Sequence, residues 1–383
     1  MRTSFLLYYS KWMDKKQVTG EKMQRKIYTP PVGPDLWERL AAEERPLVVY
    51  GMGNGADKLF DRLDKIGKKP VAVFASDDFV RGQSFRGYRV QHLSEIEEVY
   101  PSFVVLVSFA TRLPAVMAYI YQLSEKYPLY LPDMPVVGEQ YFDAVFVRAH
   151  EQELKNAYDL LADDLSREIF SSVVLYKYTG DIHYLKNACS TAEEDLSCLS
   201  EHNIRVAVDG GAYNGDTVKA MQESFPKIQK IYAVEPDPKN FKKLKKISAD
   251  QETGSSILPI HAALWDRVGA GVFQSSGNRN SSLLAASYQH NEVTTPLLTV
   301  DEIVKDDVVD YIKYDVEGAE REALLGSQGT ILRCQPALGV SVYHRSEDLF
   351  AIPLLLENIY PNYRFYMRRT DCLPAWEIML YAV

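Results

Sequence analysis

The stretch of the chain that most constrains its fold is residues 204–217, Ile-Arg-Val-Ala-Val-Asp-Gly-Gly-Ala-Tyr-Asn-Gly-Asp-Thr. It opens with a short apolar, β-branched run, which predicts a buried strand of a parallel sheet. The run ends at Asp209, glycines follow, and Asp216-Thr217 can cap a helix. A strand, a glycine turn and a helix N-terminus are together typical of a nucleotide-binding turn, because glycine lets the backbone lie against a ligand.

An acidic residue at the end of the next predicted strand sharpens this interpretation. Residues 230–235, Lys-Ile-Tyr-Ala-Val-Glu, predict that strand, with Glu235 at its tip. A carboxylate in this place accepts hydrogen bonds from both hydroxyls of a bound ribose. Asp209 would repel a pyrophosphate, so the two acids favour a cationic nucleoside with an amino-acid tail. S-adenosylmethionine is such a ligand; the alternative is an ordinary tight βα turn.

A second glycine turn lies nearer the start of the chain. Residues 47–50 predict a strand, Gly51-Met-Gly-Asn-Gly55 predicts the turn after it, and two more strands are predicted at 71–74 and 103–107. This pattern indicates a small doubly wound unit. It resembles the N-terminal domains of sugar-modifying acetyltransferases, which bind nucleotide sugars. A nucleotide ligand at this turn and a purely structural module are both open interpretations.

The order of these elements predicts four regions. They are an N-terminal arm at 1–40, a small Rossmann-like domain at 41–140, a helical connector at 141–203 and a second α/β domain at 204–383. Two strands close the last domain without a long helix between them, which indicates an antiparallel hairpin added to a parallel sheet. The predicted fold class is therefore α/β, with two Rossmann-like doubly wound domains joined by helices.

Composition excludes several classes of protein. A net charge of -9 argues against a general nucleic-acid binder, which would carry a basic surface. No apolar run is long enough to span a membrane, and no secretory signal is recognisable near the start. The four cysteines have no metal-ligand spacing, which favours reduced thiols. We therefore expect a cytoplasmic protein with no membrane span and no nucleic-acid partner.

Five motifs in the second half resemble those of one family. Residues 312–320, Ile-Lys-Tyr-Asp-Val-Glu-Gly-Ala-Glu, are similar to the hallmark of the FkbM family of S-adenosylmethionine-dependent methyltransferases. The other four motifs stand in that family's order at 208–217, 233–236, 262–265 and 298–303. The resemblance covers about residues 204–383 and implies a Class I methyltransferase sheet with S-adenosylmethionine as cofactor.

The resemblance also implies roles for individual residues. Glu235 matches the acid that binds the ribose, and the backbone at Ala262 and Ala263 matches the edge of the adenine site. Trp265 is expected to stack nearby. Asn280-Ser281-Ser282 forms either a ligand contact or a polar hairpin tip. The remaining residues of the expected cofactor site are Asp209, Gly211, Tyr213, Gly215, Asp216, Thr217, Pro236 and Asp315.

The predicted catalytic residues follow the fourth and fifth strands of the second sheet. A hydroxyl acceptor must lose a proton, and His344 is the predicted base because histidine titrates near neutral pH. Asp315 is predicted to position the acceptor or to steer the sulfonium. Glu317 and Glu320 are expected to cap the helix that follows. We predict no resident metal; the alternative is a divalent cation held by Asp315, Glu317 and His344.

The predicted function is therefore transfer of a methyl group to a hydroxyl of a sugar, glycan precursor or secondary metabolite. The expected partner is a small-molecule or saccharide acceptor, and a homo-oligomer is an open expectation. Two alternatives remain. One is an NAD-type oxidoreductase that uses the N-terminal Rossmann-like domain, and the other is a non-catalytic nucleotide-sensing protein.

Overall fold

The computed structural model describes residues 27–249, 254–275 and 291–383. The predicted arm at 1–40 is covered only from residue 27, and the predicted loop contact at Asn280-Ser281-Ser282 lies outside the described residues. Among the described residues, no helix has both the length and the apolar character that a membrane crossing requires.

The first sheet is built on the predicted glycine-turn unit. Its strands are β1 Leu47–Tyr50, β2 Ala72–Phe74, β3 Ser84–Phe85, β4 Tyr88–Gln91, β5 Val104–Val107 and β6 Leu129–Tyr130. Their order is β3-β4-β2-β1-β5-β6, and all neighbours except β3 and β4 run parallel. The helices of this region are α1 Leu36–Ala42, α2 Asn54–Lys65, α3 Leu93–Val99 and α4 Pro114–Lys126. β1 and β5 are buried along their whole length, as expected for central parallel strands.

Packing accounts for two of the three glycines in the first glycine turn. A Cβ on Gly51, whose φ is +110°, would lie 2.6 Å from the ring of Phe109. A Cβ on Gly55 would overlap the carbonyl oxygen of Ser108. Gly53 has open space around it. Two glycines are thus required by the neighbouring loop, and a nucleotide ligand at this turn stays a prediction.

The helical region lies between the two sheets. Its helices are α5 Ala144–Ala149, α6 Glu151–Leu160, α7 Asp164–Thr179 and α8 Ala192–Ser197. Leu154, Tyr158 and Leu161 of this region are buried. The start of α7 is tied to a strand near the C-terminus, because Ser166 accepts from the Met367 amide at 2.9 Å and Asp163 pairs with Arg368 at 2.7 Å.

The second sheet has the predicted parallel core and terminal hairpin. Its strands are β7 Val206–Gly210, β8 Lys230–Val234, β9 Ser256–Ile260, β13 Tyr311–Tyr314, β14 Ala337–Ser341, β15 Phe365–Arg369 and β16 Ile378–Ala382. The strands between β9 and β13 form a small separate sheet of β10 Ala263–Leu264, β11 Gly269–Ser275 and β12 Asn291–Leu298. The strand order is β15-β16-β14-β13-β7-β8-β9. The first two strands of that order are antiparallel to their neighbours and the rest are parallel. The α/β fold class is therefore confirmed.

The helices of the second sheet are α9 Asp216–Ser224, α10 Pro238–Ala249, α11 Val300–Val304, α12 Glu320–Leu325, α13 Gln328–Cys334 and α14 Asp348–Ile359. The predicted cap at Asp216-Thr217 is wrong: α9 begins at Asp216 after Gly215, with no side-chain cap. The Thr217 hydroxyl turns inward instead and donates to Asp209.

One of three apolar clusters in the described structure extends across its regions. A single cluster of buried side chains includes Val48 of the first sheet, Phe170 of the helical region and Ile312 of the second sheet. The regions therefore pack as neighbours, and the predicted domain boundaries stay a prediction.

Candidate functional site

The carboxyl ends of the parallel strands of the second sheet border a cleft of about 550 Å³. This is where an open α/β sheet binds its ligands, and the volume suits a small molecule. Residues from four strand ends line it, namely Gly211 and the polar residues Glu235, Asp315 and His344. Arg112 and Val136, which precede the second sheet in the chain, also line this cleft.

The glycine loop after β7 has a backbone that only glycine accommodates. Gly211 has a φ of +82°, and an added Cβ would overlap the carbonyl oxygen of Asp315. Gly215 has a φ of +92°, and its Cβ would lie 2.8 Å from the Ile247 side chain. Close packing against β13 and α10 therefore shapes this loop, and Gly211, Tyr213, Asp216 and Thr217 reach the cleft wall.

Glu235 is held by backbone amides at the end of β8. Its Oε2 accepts from the Tyr213 amide and its Oε1 accepts from the Asp237 amide, both at 2.8 Å. The side chain is 5% exposed, and burial raises its pKa to about 8 despite these hydrogen bonds. Each carboxylate oxygen has a second lone pair, so Glu235 can accept two further hydrogen bonds from the cleft.

Asp209 lies beneath the cleft and does not line it. Its carboxylate is fully buried, accepts from Thr217, and faces Lys313 Nζ at 3.9 Å. Burial raises the pKa of Asp209, and Lys313 opposes that rise. Asp209 is therefore not exposed to the cleft, where the sequence predicted that it would contact the ligand directly. The arrangement indicates that Asp209 orders the glycine loop through Thr217.

The adenine edge predicted from sequence is partly in place. Ala262 and Ala263 line the cleft beside Pro236. Trp265 is absent from the described lining, and its backbone amide donates to the Leu298 carbonyl at 2.9 Å. Gly215 also lies outside the lining, and its part is to shape the loop.

Beside the glycine loop, which packs on Asp315, carboxylates gather around His344. Nδ1 lies 2.9 Å from Glu320 Oε1, and Nε2 lies 3.5 Å from Glu317 Oε2 and 3.7 Å from Asp315 Oδ1. Glu320 also accepts from the Val316 amide at 2.9 Å, which holds the turn into α12. Glu320 therefore holds the turn before α12, but the predicted cap by Glu317 and Glu320 is wrong, because Ala319 is the N-cap residue and no side chain caps this helix.

The charges around His344 alter its protonation. Burial lowers its pKa, but Glu320, Glu317 and Asp315 outweigh burial and raise the pKa to about 10. For Asp315, Lys313 and His344 outweigh burial and lower the pKa to about 2. The imidazole with these neighbours holds its proton at neutral pH, and a general base must be neutral. The base role predicted for His344 thus conflicts with this electrostatic environment.

Several cleft residues were not predicted. Lys313 pairs with Asp315 at 3.2 Å and sits inside the hallmark motif, so its position next to Asp315 was a usable signal. Arg112, which forms an ion pair with Glu377, reaches the cleft through tertiary packing. No local pattern in the sequence indicates such a contribution.

Comparison with known proteins agrees with this geometry. Residues 209–366 match the sequence model of the Methyltransferase FkbM domain. The solved structure of methyltransferase FkbM from Methylobacillus flagellatus KT is 19% identical, with a TM-score of 0.68 over 90% of this chain and 92% of that chain. Aeropyrum pernix fibrillarin with natively bound S-adenosyl-L-methionine is 16% identical over 48% of this chain and 67% of that one, but its TM-score of 0.30 is too low to support an inference. Curated protein sequences give no match.

The FkbM domain match covers the glycine loop, Glu235, Asp315 and His344 in one continuous range. The structural match shows the same fold over nearly the full length of both chains. Residues 209–366 of this chain therefore match the FkbM methyltransferase domain, and the fold of the chain is similar to that of a solved FkbM methyltransferase.

Proposed function

We propose that this methyltransferase uses S-adenosylmethionine to methylate a hydroxyl oxygen of a small-molecule or saccharide acceptor. The observation that carries the proposal is the position of Glu235. A buried carboxylate with free lone pairs lies beside a glycine loop, in the same cleft as Asp315 and His344.

The cleft fits an adenosine carrying a positive charge. Glu235 can accept from both ribose hydroxyls, since its two backbone bonds leave one lone pair on each oxygen. Ala262 and Ala263 have small side chains, which leave room for a flat base at the cleft wall. Asp315 and Glu317 also line the cleft, where their negative charge favours a sulfonium.

The chemistry requires alignment and loss of one proton. Bound S-adenosylmethionine supplies a methyl group on a positive sulfur: an O–CH₃ bond forms, the S–CH₃ bond breaks, the hydroxyl proton leaves and a neutral thioether remains. The chain's part is to hold the acceptor oxygen in line with the methyl carbon, and such alignment contributes about 7–11 kcal/mol to rate enhancement in favourable cases. We assign this holding role to Asp315 and His344.

The acceptor side of the cleft favours a hydroxylated ring. Tyr343 and Trp376 line it, and aromatic faces pack well against the apolar face of a sugar or a cyclic metabolite. Arg112 and Glu377 form an ion pair in the same wall and offer both a donor and an acceptor to hydroxyls. This mixture supports a saccharide or polyhydroxylated small molecule.

Isothermal titration calorimetry on the whole protein tests the cofactor assignment. We expect S-adenosylmethionine and S-adenosylhomocysteine to bind at one site, and NAD to give no heat. Binding of NAD without binding of S-adenosylmethionine would favour the oxidoreductase alternative instead. A radiolabelled methyl transfer screen over hydroxylated sugars and metabolites then tests turnover, and no transfer to any acceptor alongside tight cofactor binding would favour a sensing protein.

A further inference from the structure

We infer that Asp315, Glu320 and His344 bind a divalent cation at the acceptor end of the cleft, with Glu317 beside them as a fourth donor. The inference deepens the proposed function, because it gives the acceptor oxygen a partner. The binding site itself is argued from the geometry of the cluster.

The first argument is the spacing of the donor atoms. One ligand atom from each of Asp315, Glu320 and His344 lies within 4.8 Å of the other two. Glu317 Oε2 lies 3.5 Å from His344 Nε2. Donor atoms that share an ion at bond lengths of about 2.1 Å lie about 3–4 Å apart. Small side-chain movements would therefore close the cluster on an ion.

The second argument is that buried donor atoms have no hydrogen-bond partner. Nε2 of His344 and Oε2 of Glu320 are buried without one, and each residue is 1% exposed. The other oxygen of Glu320 is already engaged by the Val316 amide. A buried polar atom left unpaired costs about 1–3 kcal/mol, so such atoms in a native protein point to a missing partner. A cation would provide that partner for Oε2 and, in exchange for a proton of the imidazolium, for Nε2 of His344.

The donor set indicates which cation fits. Carboxylates suit Mg²⁺, Ca²⁺ and Mn²⁺, whereas imidazole suits the first-row transition metals. Mn²⁺ accepts both kinds of ligand. The cluster contains no thiolate, since the buried Cys372 lies elsewhere and donates to backbone carbonyls. Mn²⁺ is therefore the appropriate probe.

A cation in this place would act on the acceptor. Asp315, Glu317 and His344 all line the cleft, so an ion held by them has an open face toward the ligand. A bound hydroxyl oxygen would lose its proton more readily, because a cation lowers the pKa of a coordinated oxygen. The O–H bond breaks, the proton passes to solvent, and the oxygen is left to form the new O–CH₃ bond.

Metal binding is tested separately from catalysis. The whole protein, freed of metal with a chelator and then dialysed, is titrated with MnCl₂ while free Mn²⁺ is followed by electron paramagnetic resonance. We expect one bound ion per chain. Asp315→Asn and His344→Gln should each weaken binding at least about tenfold. Glu347→Gln is the matched control: it makes the same carboxylate-to-amide change in a neighbouring ion pair with Arg321, outside the cluster, and should bind like the wild type.

The outcomes separate this inference from the proposed function. S-adenosylmethionine binding is measured on the same metal-free samples by calorimetry, which also shows that each variant folds. Cofactor binding without any Mn²⁺ binding at about millimolar concentration would overturn the cation site and leave the proposed function standing. Equal Mn²⁺ affinity in wild type, Asp315→Asn and His344→Gln would also overturn it. If Mn²⁺ binds but the cofactor does not, the cation site stands and the proposed function fails.

Discussion

Replacing Glu235 with glutamine is the sharpest test of the cofactor site. The carboxylate accepts from the Tyr213 and Asp237 amides at 2.8 Å, one on each oxygen. An amide of the same size must turn its NH₂ toward one of these N–H donors, and it can accept from only one ribose hydroxyl. A hydrogen bond to a charged group contributes about 1.5–3 kcal/mol, so losing one from the ribose raises Kd about 10- to 100-fold. Glu235→Ala removes both and should raise Kd by more than about 100-fold.

The measurement is calorimetric titration of wild type and both variants with S-adenosylmethionine and with S-adenosylhomocysteine. Glu223→Gln is the control, because Glu223 is an exposed carboxylate on α9 outside the cleft lining. Thermal melting without ligand separates loss of binding from loss of folding, since Glu235 also anchors the glycine loop. A Glu235→Gln variant that melts like the wild type and binds within about threefold of it would refute the ribose assignment.

Three further predictions follow from named contacts. First, since the pKa of Glu235 is raised to about 8, a proton competes with the ribose, and affinity for S-adenosylmethionine should rise about 50-fold from pH 6 to pH 8; a flat calorimetric pH profile would contradict this. The same shift means that this carboxyl's contribution to folding stability falls as pH rises from about 4.5 to about 8. Second, Gly211→Ala should lower the melting temperature and abolish cofactor binding, because the Cβ would overlap the Asp315 carbonyl at a φ of +82°; an unchanged melting curve would refute that account. Third, Arg368→Met should destabilise the fold by about 2–4 kcal/mol in chemical denaturation, since it leaves Asp163 without its 2.7 Å partner, whereas the exposed Arg364→Met should be near neutral.

The parts of the site that could be predicted are those set by local chain order. The end of a strand is marked by its apolar pattern, so the positions of Glu235 and Asp315 at strand ends followed from residues 230–235 and 309–315. Because parallel strands end at one edge of a sheet, chain order also placed His344 near Asp315. The structure brings these two to 3.7 Å. The terminal hairpin followed from two strands with no room for a crossover helix.

The parts that could not be predicted depend on side-chain direction and on distant packing. Nothing in the sequence shows that the Thr217 hydroxyl donates to Asp209 and not to a helix cap, or that Asp209 lies outside the cleft lining. The absence of Trp265 from the cleft lining is likewise a property of tertiary packing, which chain order does not convey. The protonation of His344 depends on three carboxylates at once, and a motif conveys the presence of such groups but not their distances.

The region before the second sheet also shapes the proposed reaction site. The Val137 amide donates to the His344 carbonyl at 3.0 Å, and a Cβ on Gly318, whose φ is +94°, would lie 2.9 Å from the Val137 side chain. Lys58 of α2 holds this same segment through the Pro135 carbonyl at 2.7 Å. The segment that contains Pro135 and Val137 therefore packs against the backbone of the carboxylate cluster, and Lys58 binds this segment to α2. Because this segment contacts the backbone at both His344 and Gly318, the region of the first sheet contributes to the geometry of the cleft even if its own glycine turn binds no ligand.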